Sequence, residues 1–227
     1  MHYKTEYVTQ YKYLTFMAML SITMMIISMM FTYRVIQLGP FMAPGGVFIF
    51  ALTYTVADII TEVYGLRMVT QVILSTFFCI IAFNLLCYYL IQLPIPPNAP
   101  YLDAYNVVFS HNINLLFGFG ISFFTSDYVN ARAINKWKIL FQGRYFWLRS
   151  IGSSAIGETL FGIFAAFLMY THMLSLGDLA KVISSTWCIK IAISILASYP
   201  ATVIVELLKK SEGIKSIDDL EFKELAL

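Results

Sequence analysis

The chain has 227 residues, of which 59% are hydrophobic and only 12% are charged, with a formal net charge of +2. An ordinary soluble domain carries about 25% charged residues, so this composition excludes a water-soluble globular protein. It favours an integral membrane protein, whose partner is the lipid bilayer. The small positive charge indicates no nucleic-acid partner, because such proteins usually carry a strongly basic face.

Six apolar runs follow one another along the chain. A helix needs about 20 apolar residues to cross a hydrocarbon core of roughly 30 Å. The runs cover residues 14–33, 41–63, 68–91, 107–126, 146–171 and 182–207. The proline-rich connection at 93–100 cannot continue a helix, because proline lacks the amide donor. The sequence therefore predicts an all-α integral membrane protein, a six-transmembrane-helix bundle that forms a single domain over residues 1–227 without a soluble domain.

Lysine and arginine residues indicate the orientation, since short cytoplasmic loops carry the excess of positive charge. With six spans and a cytoplasmic N-terminus, Arg34 and Lys181 fall outside the cell and Lys190 falls within the last span. The other basic residues fall on the inside. The sequence therefore predicts that both termini are cytoplasmic.

Two carboxylates lie one helical turn apart in the segment TYTVADIITEVYG, residues 53–65. Asp58 and Glu62 share a helix face and repel each other, so we expect a retained proton, a cation such as Lys190 or a bound ligand to compensate. Tyr54 lies one turn earlier on that face and could stack a flat ligand. The alternative is that the two acids lie at the cytoplasmic surface beside Arg67.

Glu158 lies deep in the fifth predicted helix. It is twelve residues beyond Phe146, which at 1.5 Å per residue places it roughly 18 Å inside the helix start. Charged residues at such depth usually face the bundle interior and are functional, although a structural salt bridge between Glu158 and Lys190 is the alternative. Ser154 lies one turn before Glu158 and could reach a ligand or serve helix packing.

Two buried amides complete the candidate binding residues. Asn84 and Asn114 lie in the third and fourth predicted helices, where each could bridge helices or bind a ligand. No metal or cofactor site is predicted, since the cysteines lie singly in apolar runs and the histidines are scattered. These residues are Cys79, Cys87 and Cys188, and His2, His111 and His172.

Three segments carry a resemblance to a known family. They are TYTVADIITEVYGLR, RSIGSSAIGETLFGIF and WCIKIAISILASYP. Together they resemble the bacterial queuosine precursor transporter family, also called the vitamin uptake transporter family, over essentially all six predicted helices. The resemblance implies an inner-membrane importer of the 7-deazaguanines preQ0 and preQ1, which supply queuosine to tRNA. It also implies a fold like the six-helix substrate-binding subunits of energy-coupling-factor vitamin transporters.

The resemblance also assigns site residues. The family's acidic pair matches Asp58 and Glu62, and its lysine of the last helix matches Lys190. Glu158 stands where the family usually has aspartate, which adds a methylene, and Ala51 stands where a proline is common. These departures affect the expected substrate fit and the bend of the second helix.

The sequence leaves several alternative functions open. The cargo could be another flat vitamin or nucleobase, and the chain could be a structural membrane protein. An intramembrane enzyme is disfavoured, because no H-E-x-x-H segment and no histidine near the acids is present. Since the sequence contains no ATP-binding motif, we expect either a secondary facilitator, which its acids could couple to protons, or a separate energising subunit. A homo-oligomer is equally open.

Overall fold

The computed structural model describes residues 11–32, 34–38, 41–94, 96, 102–109, 112–165, 167–168 and 176–214. The three histidines lie outside the described residues, as do the end of the fifth predicted helix and most of the proline-rich connection. The elements, in order, are α1 (Leu14–Met30), β1 (Val35–Leu38), β2 (Phe41–Pro44), α2 (Gly46–Ile91), α3 (Leu102–Phe109), α4 (Asn112–Leu140), α5 (Phe146–Ala165) and α6 (Leu176–Glu212).

The second and third predicted helices form one long element, α2, with a break at Gly65. This residue has φ 86° and ψ 170°, a conformation that glycine adopts without the steric penalty of a Cβ atom. The described part of the chain therefore contains five long helices and the eight-residue α3. The prediction of six membrane-spanning helices is not confirmed.

Two helical stretches in the described residues are long and apolar enough to cross a membrane, Gly46–Ile91 and Ile183–Glu212, and Leu14–Met30 is a shorter apolar helix. Large apolar side chains project from the outside of the bundle. Phe78, Leu196 and Tyr199 are each more than 60% exposed. Apolar side chains exposed in such numbers are what a lipid environment requires.

The predicted all-α class is confirmed, and one short β-hairpin accompanies the helices of the described residues. Residues 41–44, which were predicted to begin the second helix, form β2 and pair antiparallel with β1. Pro44 pairs with Val35 at the open end of the hairpin, where the missing proline amide is tolerated. The helix begins only after it, at Gly46.

The fourth and sixth predicted helices were too short. Helix α4 continues to Leu140 rather than ending at residue 126, and α6 runs from Leu176 to Glu212 rather than over 182–207. Hydropathy follows apolar runs, whereas a helix can continue through polar residues that other helices cover. Asp127, Asn130 and Lys138 are such buried residues on α4.

Helix α2 is the centre of the bundle and contacts α1, α4 and α6. Methionines of α1, including Met25 and Met29, join its aliphatic residues Ile60 and Ile73 in one apolar core. The two helices meet closely where α2 begins, since the Ser28 hydroxyl donates to the carbonyl of Gly46 at 2.9 Å.

Glu212, at the end of α6, connects α6 to the start of α1 and to α2 at one end of the bundle. Its carboxylate accepts hydrogen bonds from the backbone amides of Lys12 and Tyr13, each at 3.0 Å, and from the Tyr64 hydroxyl at 2.9 Å. The N-cap residue Tyr13 makes no side-chain capping hydrogen bond, so Glu212 supplies a carboxylate acceptor just before the helix N-terminus. The start of α1 and the end of α6 therefore lie at the same end of the bundle.

A substitution at Gly46 tests how closely α1 and α2 approach each other. A Cβ atom on Gly46 would lie 2.0 Å from the Ser28 carbonyl oxygen, whereas on Gly120 it would meet a Phe77 ring carbon at 3.4 Å, an ordinary contact. We expect Gly46→Ala to destabilise the protein by about 1–3 kcal/mol through overpacking. Gly120→Ala should cause no loss, because alanine favours a helix. Thermal unfolding in detergent micelles measures both, and equal melting temperatures would contradict the close packing.

Candidate functional site

Buried polar and charged side chains from α2, α4, α5 and α6 meet inside the bundle. They form two groups, which we call the basic clamp and the central cluster. The basic clamp consists of Glu62, Lys138, Arg149 and Lys209. The central cluster consists of Tyr54, Asp58, Ser126, Asp127, Asn130, Ser150, Ser154, Glu158 and Lys190.

Glu62 is held by two cations in the basic clamp. Its Oε2 accepts a hydrogen bond from Arg149 at 3.0 Å, and its Oε1 accepts one from Lys209 at 2.7 Å. Lys138 donates to the Glu62 backbone carbonyl at 3.4 Å. Glu62 is only 2% exposed, so the alternative of a surface carboxylate beside Arg67 is wrong. The clamp joins α2, α4, α5 and α6.

Asp58 lies one turn from Glu62 but has separate, uncharged partners. Its Oδ1 accepts a hydrogen bond from Asn130 at 2.8 Å. Its Oδ2 accepts one from Ser150 at 2.5 Å and a longer one from Ser154 at 3.4 Å. Of the three predicted ways to compensate the acidic pair, a cation serves Glu62, but the cations are Arg149 and Lys209 rather than Lys190. Lys190 pairs with Glu158 instead, and α4 and α5 supply neutral donors to Asp58.

Glu158 and Lys190 form the buried pair that was the structural alternative. Lys190 Nζ lies 2.5 Å from Glu158 Oε2 and 4.3 Å from the ring centroids of Phe50 and Phe161. These rings add cation–π contacts to the pair. The second oxygen of Glu158, Oε1, is buried and has no hydrogen-bond partner among the described residues. The salt bridge therefore leaves one acceptor unused.

Tyr54 is fully buried and contributes its hydroxyl to the cluster. It donates to Ser126 Oγ at 2.8 Å, and Ser126 donates to the carbonyl of Phe123 at 3.0 Å. The ring packs closely on α5, since a Cβ atom on Gly157 would lie 2.7 Å from its Cε1 atom. In this arrangement Tyr54 connects α2 to α4, and its predicted role in stacking a ligand stays a prediction.

Three α4 residues were missed by the sequence reasoning. Ser126 is the last residue of the fourth predicted run, and Asp127 and Asn130 lie beyond it on α4. A usable signal was present, because Ser122, Ser126 and Asn130 recur at four-residue intervals, as expected for one helix face. All three are fully buried.

Of the two other predicted amides, the structure places only the side chain of Asn84, which lies outside the central cluster. Asn84 donates to the Ile80 carbonyl at 2.7 Å and to the Met29 sulfur at 3.5 Å, so it joins α2 to α1. Asn114 lies on α4, and its side chain is outside the described residues. Among the described residues, no group of three or more His, Cys, Asp or Glu residues could hold a metal ion.

Comparison with known proteins identifies a family for most of the chain. The family described as "Putative vitamin uptake transporter" matches residues 44–205, more than two thirds of the sequence. The match includes the central cluster and, from the basic clamp, Glu62, Lys138 and Arg149. No curated protein and no solved structure matches the chain.

The basic clamp predicts unequal effects of its two cations on stability. Arg149 is fully buried, so Arg149→Met leaves part of Glu62 charged and unpaired, which we expect to cost about 3–5 kcal/mol of unfolding free energy. The Lys209 side chain is 30% exposed, so Lys209→Met should cost about 1 kcal/mol or less.

Denaturant unfolding in mixed micelles measures these changes, with Lys210→Met, an exposed neighbour on α6, as the control. Equal losses for Arg149→Met and Lys210→Met would show that the clamp does not hold the helices together.

Proposed function

Because this chain belongs to the vitamin uptake transporter family, we propose that it is a bacterial inner-membrane importer of the queuosine precursors preQ0 and preQ1. These cargoes are small, flat 7-deazaguanine bases. The family match supports transport rather than catalysis, and the choice of cargo goes beyond that match. It is supported by the hydrogen-bonding capacity of the central cluster.

The unused acceptor of Glu158 is the observation that carries this proposal. Oε1 is buried and unpartnered among the described residues, while Lys190 holds Oε2. A buried acceptor without a partner is costly, so such an atom favours a bound donor. A deazaguanine presents an N1–H and an exocyclic amine as adjacent donors, which a carboxylate accepts well. Lys190, already beside Glu158, would then donate to the O6 carbonyl of the base.

In this proposal, a different carboxylate contacts the end of the base opposite its N1–H and exocyclic amine. preQ1 carries a cationic aminomethyl group, for which an acid without a cationic partner is suitable. Glu62 is engaged by two cations, whereas Asp58 has only neutral donors in the described residues. We therefore assign Asp58, with Ser154 beside it, to this end of the base and give Glu62 a role in holding the helices.

We further propose that the chain crosses the membrane six times with both termini in the cytoplasm. The break at Gly65 divides α2 into two stretches, as a reversal near the membrane surface would require. Lys12, Arg149 and Lys209 lie at the same end of the bundle through their contacts with Glu212 and Glu62. A basic end is expected on the cytoplasmic side. A separate energising subunit or a second copy remains compatible with this arrangement.

The experiment measures queuosine in tRNA from cells that cannot make the precursor but receive nanomolar preQ0 or preQ1. We expect the wild-type protein to restore queuosine. Glu158→Gln should lower the initial rate at which queuosine appears in tRNA about 10- to 100-fold, because uptake of the base then limits that rate. The size follows from a hydrogen bond to a charged group, which contributes about 1.5–3 kcal/mol. Glu206→Gln, an exposed carboxylate on the same helix as Lys190, is the matched control and should match the wild type.

The possible outcomes test the identity of the cargo and the role of Glu158 separately. If the well-expressed wild type fails with both bases, the cargo is another flat vitamin or nucleobase. If the wild type works and Glu158→Gln works equally well, the cargo stands and the assignment of Glu158 is wrong.

A further inference from the structure

A narrow cavity lies between α1, both stretches of α2 and α4, and Asp127 of the central cluster is among the residues that line it. Four polar side chains line it, together with apolar side chains from the same helices: Ser21, Thr53, Thr76 and Asp127. The free space inside suffices for about one water-sized occupant. This cavity is too small for a nucleobase, so it is not the cargo site proposed above.

Two of the lining side chains have unused hydrogen-bonding atoms. Asp127 is 3% exposed and Thr76 is 2% exposed. Asp127 Oδ1 and Thr76 Oγ1 have no hydrogen-bond partner among the described residues. Buried polar atoms in folded proteins are nearly always partnered, so two unpartnered oxygens that line one cavity indicate an occupant. Thr53 donates to the Phe50 carbonyl at 2.6 Å, which leaves its oxygen lone pairs available.

The charges around Asp127 favour a cation as this occupant. Its electrostatic neighbours are Glu158, Asp58 and Lys190. Lys190 pairs with Glu158, and the hydrogen-bond donors to Asp58 are neutral. Arg149 interacts electrostatically with Asp58 but is paired with Glu62. An ionised Asp127 is therefore a buried carboxylate without a paired cation, which is strongly unfavourable unless a positive ion is bound.

We propose that this cavity is a sodium site, with Asp127 as the charged ligand and the hydroxyls of Ser21, Thr53 and Thr76 as neutral ligands. An all-oxygen donor set suits a hard cation. A single carboxylate matches a monovalent ion, whereas protein sites for calcium usually contain several carboxylates. The ion would join α1, both stretches of α2 and α4, and α4 also supplies Ser126 and Asn130 to the central cluster. Sodium binding would thereby couple to the geometry of the cargo site.

The test uses the purified full-length protein without cargo, so its result does not depend on the proposed import function. The melting temperature is measured while NaCl replaces KCl or N-methyl-D-glucamine chloride at constant ionic strength. We expect a saturable increase of about 3–6 °C at ten times the dissociation constant. Asp127→Asn and Thr76→Val should each abolish the sodium-dependent shift, whatever their own melting temperatures are.

Thr70→Val is the matched control, because Thr70 lies on the same helix, does not line the cavity and donates to the Leu66 carbonyl at 2.8 Å. It should keep the full sodium response. A wild-type protein that responds equally to all three salts, or only to acidification, would overturn the proposal. A sodium response that persists in both Asp127→Asn and Thr76→Val would overturn it as well.

Discussion

The fully buried ion pair between Arg149 and Glu62 is the interaction on which the arrangement of the bundle depends. Arg149 lies in the first turn of α5 and also donates to the backbone carbonyls of Gly143 and Arg144. These carbonyls belong to the loop 141–145, three of whose residues have positive φ. A guanidinium group has five donors in a fixed fork, so it can hold a loop and a carboxylate together. The pair thereby sets how α5 lies against α2, and with it the position of every α5 residue in the central cluster.

The carboxylates inside the bundle differ in how completely they are partnered. Glu62 has cations on both oxygens, Asp58 has only neutral donors, Glu158 has a cation on one oxygen, and Asp127 has an oxygen without a partner in the described structure. Fully paired charges stabilise helix contacts, whereas unpaired buried acceptors cost stability and are retained where they bind something. The molecule therefore separates a structural end, the basic clamp, from an interior in which carboxylate oxygens have no partner among the described residues.

Part of this arrangement could be predicted from the sequence. The depth of Glu158 in an apolar run indicated a buried charge, and Lys190 was the available partner in the next helix. The partner of Glu62 could not be predicted, because Arg149 lies 87 residues away and its contact depends on helix packing. The polar residues that α4 contributes to the central cluster were not predicted, for a different reason. Hydropathy ends a predicted helix where polar residues begin, although Asp127 and Asn130 are polar residues covered by other helices.

An experimental structure of the protein in lipid nanodiscs with preQ1 bound would test directly whether Glu158 binds the cargo and Glu62 holds the helices. We expect the donor edge of the base to lie within hydrogen-bond distance of Glu158 Oε1, while Arg149 and Lys209 keep their contacts with Glu62. A base bound away from Glu158, or a clamp that opens to place Glu62 on the base, would contradict the separation between a structural end and a binding interior.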